Sequence, residues 1–255
     1  METIEKSKTT SKNLSLQLTS TTEFTNFLKR FSPISGSLLI EIADGQIKAK
    51  THTPERSVVK SSKIDLSQVF NFDSEPTDSV IFGVYSVEKL IKSFSHFEGA
   101  PLTFTLVTEN TADGIVGTDI ILQNDSLKVN FQCATLRLFT RITDEMMDRI
   151  ADTASSEVNF VLTKELQSRI NSLSGIDSDQ KLLTLNIKGG QVKASGKSFD
   201  LNLLGVDSTA ELGISVYKSQ FAYLDKEDTM VYMNEDRLIF HSIETETKMI
   251  IGKAD

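Results

Sequence analysis

Residues 38–50 read LLIEIADGQIKAK, and residues 183–195 read LTLNIKGGQVKAS, at a constant offset. Within the match, GQIKA (45–49) faces GQVKA (190–194), with Ile47 exchanged for Val192. The likeness extends upstream. LSLQLT (14–19) resembles VNFVLT (158–163), and each leads into an amphipathic segment that ends in Ser-Pro-Ile or Ser-Gly-Ile. Self-similarity on this scale indicates two like domains made by duplication. The period is too long for a solenoid.

Composition narrows the class. A chain of 255 residues with 39% hydrophobic content can bury one large core or two small ones. Trp is absent and Cys133 is the single cysteine, so no intrachain disulfide can form, as fits a reducing compartment. The start, METIEKSKTTSKN, is polar and lacks the apolar stretch of a signal peptide. No apolar run approaches a membrane span. A cytoplasmic protein is expected, with residues 1–12 as a mobile leader. The net charge of −8 argues against a general nucleic-acid coat.

Most of the chain alternates with the period of two that marks strands. Strands are expected at 13–19, 37–43, 45–51, 57–64, 79–85, 101–107, 117–123, 126–132 and 135–141. In the second half they fall at 156–162, 181–188, 190–196, 199–205, 211–216, 228–233, 236–242 and 245–251. Ala43-Asp44-Gly45 and Lys188-Gly189-Gly190 mark tight hairpins, and Asn124-Asp125 and Asn234-Glu235 mark later turns. Four segments switch to helical spacing. They are 22–32 (Phe24, Phe27, Leu28, Phe31), 86–96 (Val87, Leu90, Ile91, Phe94), 163–174 (Leu166, Ile170, Leu173) and, more weakly, 217–226 (Tyr217, Phe221, Leu224). Ser86 and Thr163 stand at N-cap positions. Each half therefore reads as a βαβββ unit used twice. The acidic stretch 142–155, ITDEMMDRIADTAS, lacks strand alternation and divides a domain at 13–141 from one at 156–255.

This order of elements resembles the sliding DNA clamps, in particular the trimeric two-domain type of tailed phages and the proliferating cell nuclear antigen. SVEKLIKSF (86–94) is similar to the clamp helix whose two lysines face the ring interior. Ser168, Arg169, Ile170 and Asn171, followed by LTLNIKGGQVKASG, are similar to the opening of the second clamp domain. The resemblance covers nearly the whole chain from about residue 13. It departs in length at the leader and at 109–117 (ENTADGIVG). It implies an α+β DNA-clamp fold of two duplicated domains, with helices inside a ring and sheets outside. It further implies a homotrimer around double-stranded DNA that tethers a DNA polymerase, is loaded by a separate clamp-loader ATPase, and needs no cofactor or catalytic site.

Charge placement is an independent check. Each expected helix carries two basic residues against one acidic: Lys29 and Arg30 with Glu23, Lys89 and Lys92 with Glu88, Lys164 and Arg169 with Glu165, Lys218 and Lys226 with Asp225. The acidic excess lies elsewhere, so a ring would have a basic bore and an acidic shell. At about 100° per residue, Lys89 and Lys92 project opposite their apolar stripe. Lys29 and Lys164 are similarly placed, Arg30 and Arg169 lie on the flanks, and Lys226 faces out only if its helix runs that far. Taken singly, each lysine reads as a solvated surface residue rather than a ligand contact; the same sign on all four helices, in a duplicated frame, favours the bore.

In clamps the last strand of the first domain pairs with an edge strand of the next chain's second domain. The matching segments are 135–141, with Leu136, Leu138 and Thr140, and 199–205, with Leu201 and Leu203. The other reading makes both internal strands of a monomer. Partner peptides would dock beside the connector and last strand, at Ile142, Met146, Met147, Ile150 and Ile251. The other reading has these residues pin the connector to its sheet.

Catalytic signals are lacking. His52, His96 and His241 are scattered without metal-ligand spacing. Gly196-Lys197-Ser198 lacks the leading Gly of a phosphate loop, since Gln191 stands there. Asp177-Ser178-Asp179 reads as a turn, and Cys133 as a buried small hydrophobe. A ring-forming structural or assembly protein without DNA in its hole remains the alternative.

Overall fold

The computed structural model describes residues 12–71, 78–97, 101–112, 114–177 and 179–254. Residues 1–11 of the leader, Asp113 within 109–117, and Ser178 lie outside the described residues. In the first half the elements are β1 (Lys12–Leu18), α1 (Thr21–Lys29), β2 (Leu38–Ala43), β3 (Gln46–His52), β4 (Val58–Asp65), α2 (Leu66–Val69), β5 (Phe70–Asn71), β6 (Val80–Val84), α3 (Val87–Phe94), β7 (Leu102–Thr111), β8 (Gly114–Gln123) and β9 (Lys128–Gln132). The connector holds α4 (Asp144–Ile150). The second half has β10 (Val158–Leu162), α5 (Lys164–Ser174), β11 (Leu182–Lys188), β12 (Gln191–Ser195), β13 (Asp200–Gly205), β14 (Leu212–Tyr217), α6 (Lys218–Phe221), β15 (Thr229–Met233), β16 (Arg237–Ser242) and β17 (Glu246–Gly252).

The chain forms two compact units that do not follow the two halves of the sequence. Unit 1 takes residues up to Ser32, Gly36–Ala49 and Lys63–Thr140. Unit 2 takes Pro33–Ser35, Lys50–Ser62 and Arg141–Asp255. Two short pieces of first-half sequence thus belong to the second unit.

Within unit 1, β1 pairs with β7, β7 with β8 and β8 with β9, all antiparallel. β2 pairs antiparallel with β6, which also runs parallel to the start of β8 at Val80 and Ile115. Inward residues of these strands alternate with outward polar ones, as in Leu102, Phe104 and Leu106 of β7. The core is aromatic. Phe24 of α1 lies 5.7 Å from Phe70, 5.7 Å from Phe94 of α3 and 5.9 Å from Phe104, the last two edge-on. Each such side chain contributes about 1.5–3 kcal/mol by leaving water. Helix α1 is therefore held beside α3.

Unit 2 repeats the plan. β10 pairs with β15, β15 with β16 and β16 with β17, and β13-β12-β11-β14 form a second sheet. Its core runs from Phe160 and Leu162 through Ile170, Leu185, Val192 and Val216 to Phe221, Phe240 and Ile251, and takes in Ile34 and Val58. β17 is followed by the 58–62 stretch of β4, with the Gly252 amide donating to the Ser57 carbonyl at 2.9 Å. The two quoted hairpins turn alike. Asp44 and Gly45 have φ of 53° and 68°, and Gly189 and Gly190 have 57° and 70°, the left-handed pair such a two-residue turn requires. The later turns match too: Asn124 Oδ1 accepts from the Ser126 and Leu127 amides, and Asn234 Oδ1 from those of Asp236 and Arg237.

Two expectations fail. Residues 135–141 form no strand. Leu136–Leu138 make a 3-10 turn, and the Ala134 amide donates to Gly83 O at 2.8 Å. A Cβ added at Gly83 would stand 2.6 Å from the Phe139 ring, so Phe139 folds over Gly83 and bends the chain away from the sheet. The helix expected over 217–226 stops at Phe221. The cause is Lys60, 1% exposed, whose Nζ donates to Tyr223 O at 2.9 Å and to Asp225 Oδ1 at 2.7 Å. The Tyr223 carbonyl thus serves a buried ammonium instead of a further helical turn. The connector, which lacks strand alternation, contains α4, capped by Thr143 Oγ1 accepting from the Met146 amide and opened by Asp144 and Glu145.

Candidate nucleic-acid interface

Three helices present basic residues as their spacing requires. In α3 the Ser86 hydroxyl accepts from the Lys89 amide at 3.4 Å, starting the helix. Val87, Leu90 and Phe94 are buried, while Glu88, Lys89 and Lys92 are exposed on the opposite side. In α1 the Ser20 hydroxyl accepts from the Glu23 amide at 3.1 Å. Phe24, Phe27 and Leu28 are buried and Lys29 is exposed, whereas Arg30, at the C-cap, is half-buried. Because Phe24 packs on Phe94, Lys29, Lys89 and Lys92 belong to two adjacent helices of one unit. In unit 2, α5 begins at the Thr163 cap and exposes Lys164 and Arg169. Ammonium groups on flexible stems can hold phosphate without reading bases.

The fourth pair does not join them. Lys218 Nζ donates to Ser174 O at 3.1 Å and to Asp177 O at 2.6 Å. It caps the carboxyl end of α5, where the helix dipole favours a cation, and is drawn away from any external phosphate. Lys226 is exposed but sits beyond α6, on the segment that Lys60 has unwound.

The connector sits over one face of β16 and β17. Met147 and Ala151 of its helical region are buried against Ile239 and Ile250, with Ile142, Ile150, Val59 and Tyr232 packed around them. Lys50 Nζ meets the Asp144 carboxylate, and Lys248 Nζ approaches Asp148 at 3.9 Å. Of the residues assigned to partner peptides, Met146 is 43% exposed, Ile142 and Ile150 are half-buried, and Met147 is 4% exposed. Ile251 is fully buried in the main core of unit 2, so it is not a docking residue. A strand alternates faces, and the connector side of β17 is that of Ile250. His241, on the adjacent strand, lies 5.1 Å from the Tyr232 ring. Burial, and then Lys248, lower its pKa.

The segments assigned to subunit contact divide. Leu136, Leu138 and Thr140 lie on no strand, and Leu138 is 65% exposed. Leu201 is buried and Leu203 half-buried on β13, which pairs with β12 alone among the described residues and is a sheet edge. The terminal strand of unit 1 is β9, which among the described residues pairs with β8 alone. Asp177, at the end of α5, accepts from the Ser198 amide at 2.9 Å. Hydrogen bonds from Ser198 hold its carboxyl below the usual range, so the Gly196–Ser198 loop is a tied turn. Cys133 is buried, and its thiol is pushed up to about 12 by burial and by Asp119.

Among the described residues no group of His, Cys, Asp and Glu could hold a metal ion, and no helix is long and apolar enough to cross a membrane. The roles of Lys60, Asp225 and Ile250 were missed by sequence reasoning, and β9, expected as a strand at 126–132, was not read as an edge. A lysine flanked by alternating apolar positions in VVKSSKID (58–65) is the signal that marks Lys60.

No family model matches the chain, and no curated protein does. Solved structures do. The proliferating cellular nuclear antigen of Entamoeba histolytica superposes with a TM-score of 0.65 at 10% identity, covering 94% of this chain and 98% of that one. The PCNA of Thermococcus kodakaraensis gives 0.63 at 9% identity, over 96% and 100%. The Helicobacter pylori beta clamp, in complex with 5-chloroisatin, gives 0.66 at 10% identity, over 96% of this chain and 63% of that one. With its two βαβββ repeats per half and helices packed on sheets, the chain has the α+β DNA-clamp fold, at the length of the PCNA-type clamps.

Proposed function

We propose that this chain is a sliding clamp: a homotrimeric ring that encircles double-stranded DNA and tethers a DNA polymerase after loading by a separate ATPase. One observation carries the reading. The β1-β7-β8-β9 ladders of the first half have repeat-related ladders in β10-β15-β16-β17 of the second. The pairing of β17, the last strand of its half, with the 58–62 part of β4 has a counterpart that one chain does not make: β9 with β13. Both strands are left as edges, which a soluble fold must cover. Pairing β9 of one copy with β13 of another is head-to-tail, and such contacts give a ring when the rotation between copies closes.

The exposed Lys29, Lys89, Lys92, Lys164 and Arg169 supply a phosphate-facing set on α1, α3 and α5. With few such contacts, retention on DNA comes from encirclement. Met146, beside half-buried Ile142 and Ile150, offers partners an adaptable apolar contact. No catalytic step is assigned to the chain.

The test is native mass at micromolar concentration together with polymerase stimulation on primed circular DNA. A trimer that raises product length supports the reading. A ring without stimulation makes it a structural assembly protein, and a monomer at all concentrations overturns it.

A further inference from the structure

The two helix-ending motifs, Ser32-Pro33-Ile34 and Ser174-Gly175-Ile176, occupy equivalent places in the repeat but have opposite fates. Ile34 is 8% exposed and belongs to the core of unit 2, although its sequence lies in the first half. Ile176 is 66% exposed, the most exposed large hydrophobic residue of the described chain. The turn that carries it is held on both sides of Asp177, whose carboxylate accepts from the Ser198 amide and whose carbonyl accepts from Lys218 Nζ, so the position of this isoleucine is fixed.

The fold contains the place that would cover it. Ile34 and Val58 share a core cluster with Val216, Phe221, Phe240 and Met249. Gly83-Val84-Tyr85-Ser86 is the repeat counterpart of Ser215-Val216-Tyr217-Lys218. In unit 1 those residues open a cavity of about 120 Å³, lined by Val84, Tyr85, Leu90, Ile120 and Phe131, with Lys89 also on its wall. In unit 2 the counterpart Val216 is buried in the same core cluster as Ile34. In unit 1 Tyr85, at the mouth of the cavity, is 56% exposed. Phe131 lies on β9 and Ile176 on the same unit as β13, the two edges that the ring reading brings together.

We propose that Ile176 of one copy seats in the Tyr85–Phe131 cavity of the next copy, as a side-chain plug that accompanies the β9–β13 pairing. This rests on the ring reading above and names its apolar contact. The first half places Ile34 and the 50–62 hairpin in unit 2 of its own chain. The second half places Ile176 and β13 in unit 1 of a neighbour. The contact is heterologous, so each copy uses its plug and its cavity once.

The experiment is sedimentation of the full chain across a concentration series, with Ile176→Asp as the variant and Ile243→Asp as a control at another exposed isoleucine. Ile176→Asp is expected to raise the half-assembly concentration about ten- to a hundredfold, as burial of one isoleucine implies. Ile243→Asp is expected to leave it unchanged. Circular dichroism checks that Ile176→Asp stays folded. In a Cys133→Ala background, Ile176→Cys with Tyr85→Cys is expected to give covalent oligomers on oxidation, and either cysteine alone none. If wild type assembles and Ile176→Asp assembles equally well, this proposal falls and the ring reading stands. If wild type never assembles, both fall. Covalent dimers from Ile176→Cys alone would show a two-fold contact and overturn the plug.

Discussion

Lys60 Nζ lies 2.7 Å from Asp225 Oδ1, and the lysine side chain is 1% exposed. Both residues belong to unit 2, although Lys60 comes from the first half of the sequence. The pair anchors the 58–62 strand through a buried charge, with Tyr223 O as second acceptor and Ser62 bonded to Thr247 at 2.8 Å nearby. Removing one partner strands a charge away from water. Asp225→Ala is expected to cost about 3–5 kcal/mol in urea unfolding. Lys60→Met is expected to cost clearly less, because the carboxylate it leaves can turn to solvent. Equal losses would mean that packing, not charge, holds this strand.

The lysines separate by what they touch. Lys89→Ala with Lys92→Ala is expected to weaken DNA association at low ionic strength and to flatten its salt dependence, by about 0.9 in the log–log slope for each phosphate no longer neutralised. Thermal stability should hold, since both side chains are exposed. Lys218→Ala is expected to do the reverse, lowering Tm through removal of the cap on α5 and leaving DNA association unchanged. Fluorescence anisotropy against salt, paired with calorimetry, reads both.

The two methionines of the connector should part in the same way. Met147→Asp places a carboxylate among Ile239, Ile250 and Ala151 and is expected to destabilise the unit by more than about 2 kcal/mol, on the order of a large core truncation. Met146→Asp, at an exposed position, is expected to spare stability and assembly while abolishing polymerase stimulation. Undiminished stimulation by the Met146 variant would remove the docking role.

Cys133 should be inert in the folded protein. Its thiol is raised to about 12, above its ordinary value, so the folded state keeps a proton that the unfolded state loses first. Its contribution is complete below the unfolded pKa, and stability declines as pH rises from there toward 12. Native alkylation at about pH 8, just under the ordinary thiol pKa, is expected to be slow and to accelerate on adding urea. Fast native labelling would contradict the burial.

Much of this arrangement is legible in the sequence alone. The paired hairpins at Asp44-Gly45 and Gly189-Gly190 are local chemistry, and three helices follow from their helical spacing with Ser or Thr caps. What is not legible depends on distant partners. The end of α6 is set by Lys60, far away in sequence, and the bend at 135–141 by Phe139 meeting Gly83. The choice of Ile251 over Ile250 fails by one residue, because period-two patterning leaves open which face a strand gives to the core when both faces are apolar. The outward direction expected of the lysines is found on α1, α3 and α5, where an apolar stripe fixes it. It is not found for Lys218 on α6, where the stripe is weakest.

The passage of Ile34 and the 50–62 hairpin into unit 2 has a practical consequence. A cut after Thr140, at the apparent join of the two repeats, would divide the polypeptide but not the folding units. The C-terminal piece would lack Ile34, Val58 and Lys60, and with Lys60 the ammonium that faces Asp225. Expressed alone it is expected to be insoluble, and to be rescued when the N-terminal piece is made in the same cell. The two halves read as copies, yet the second lacks the means to stand without pieces of the first.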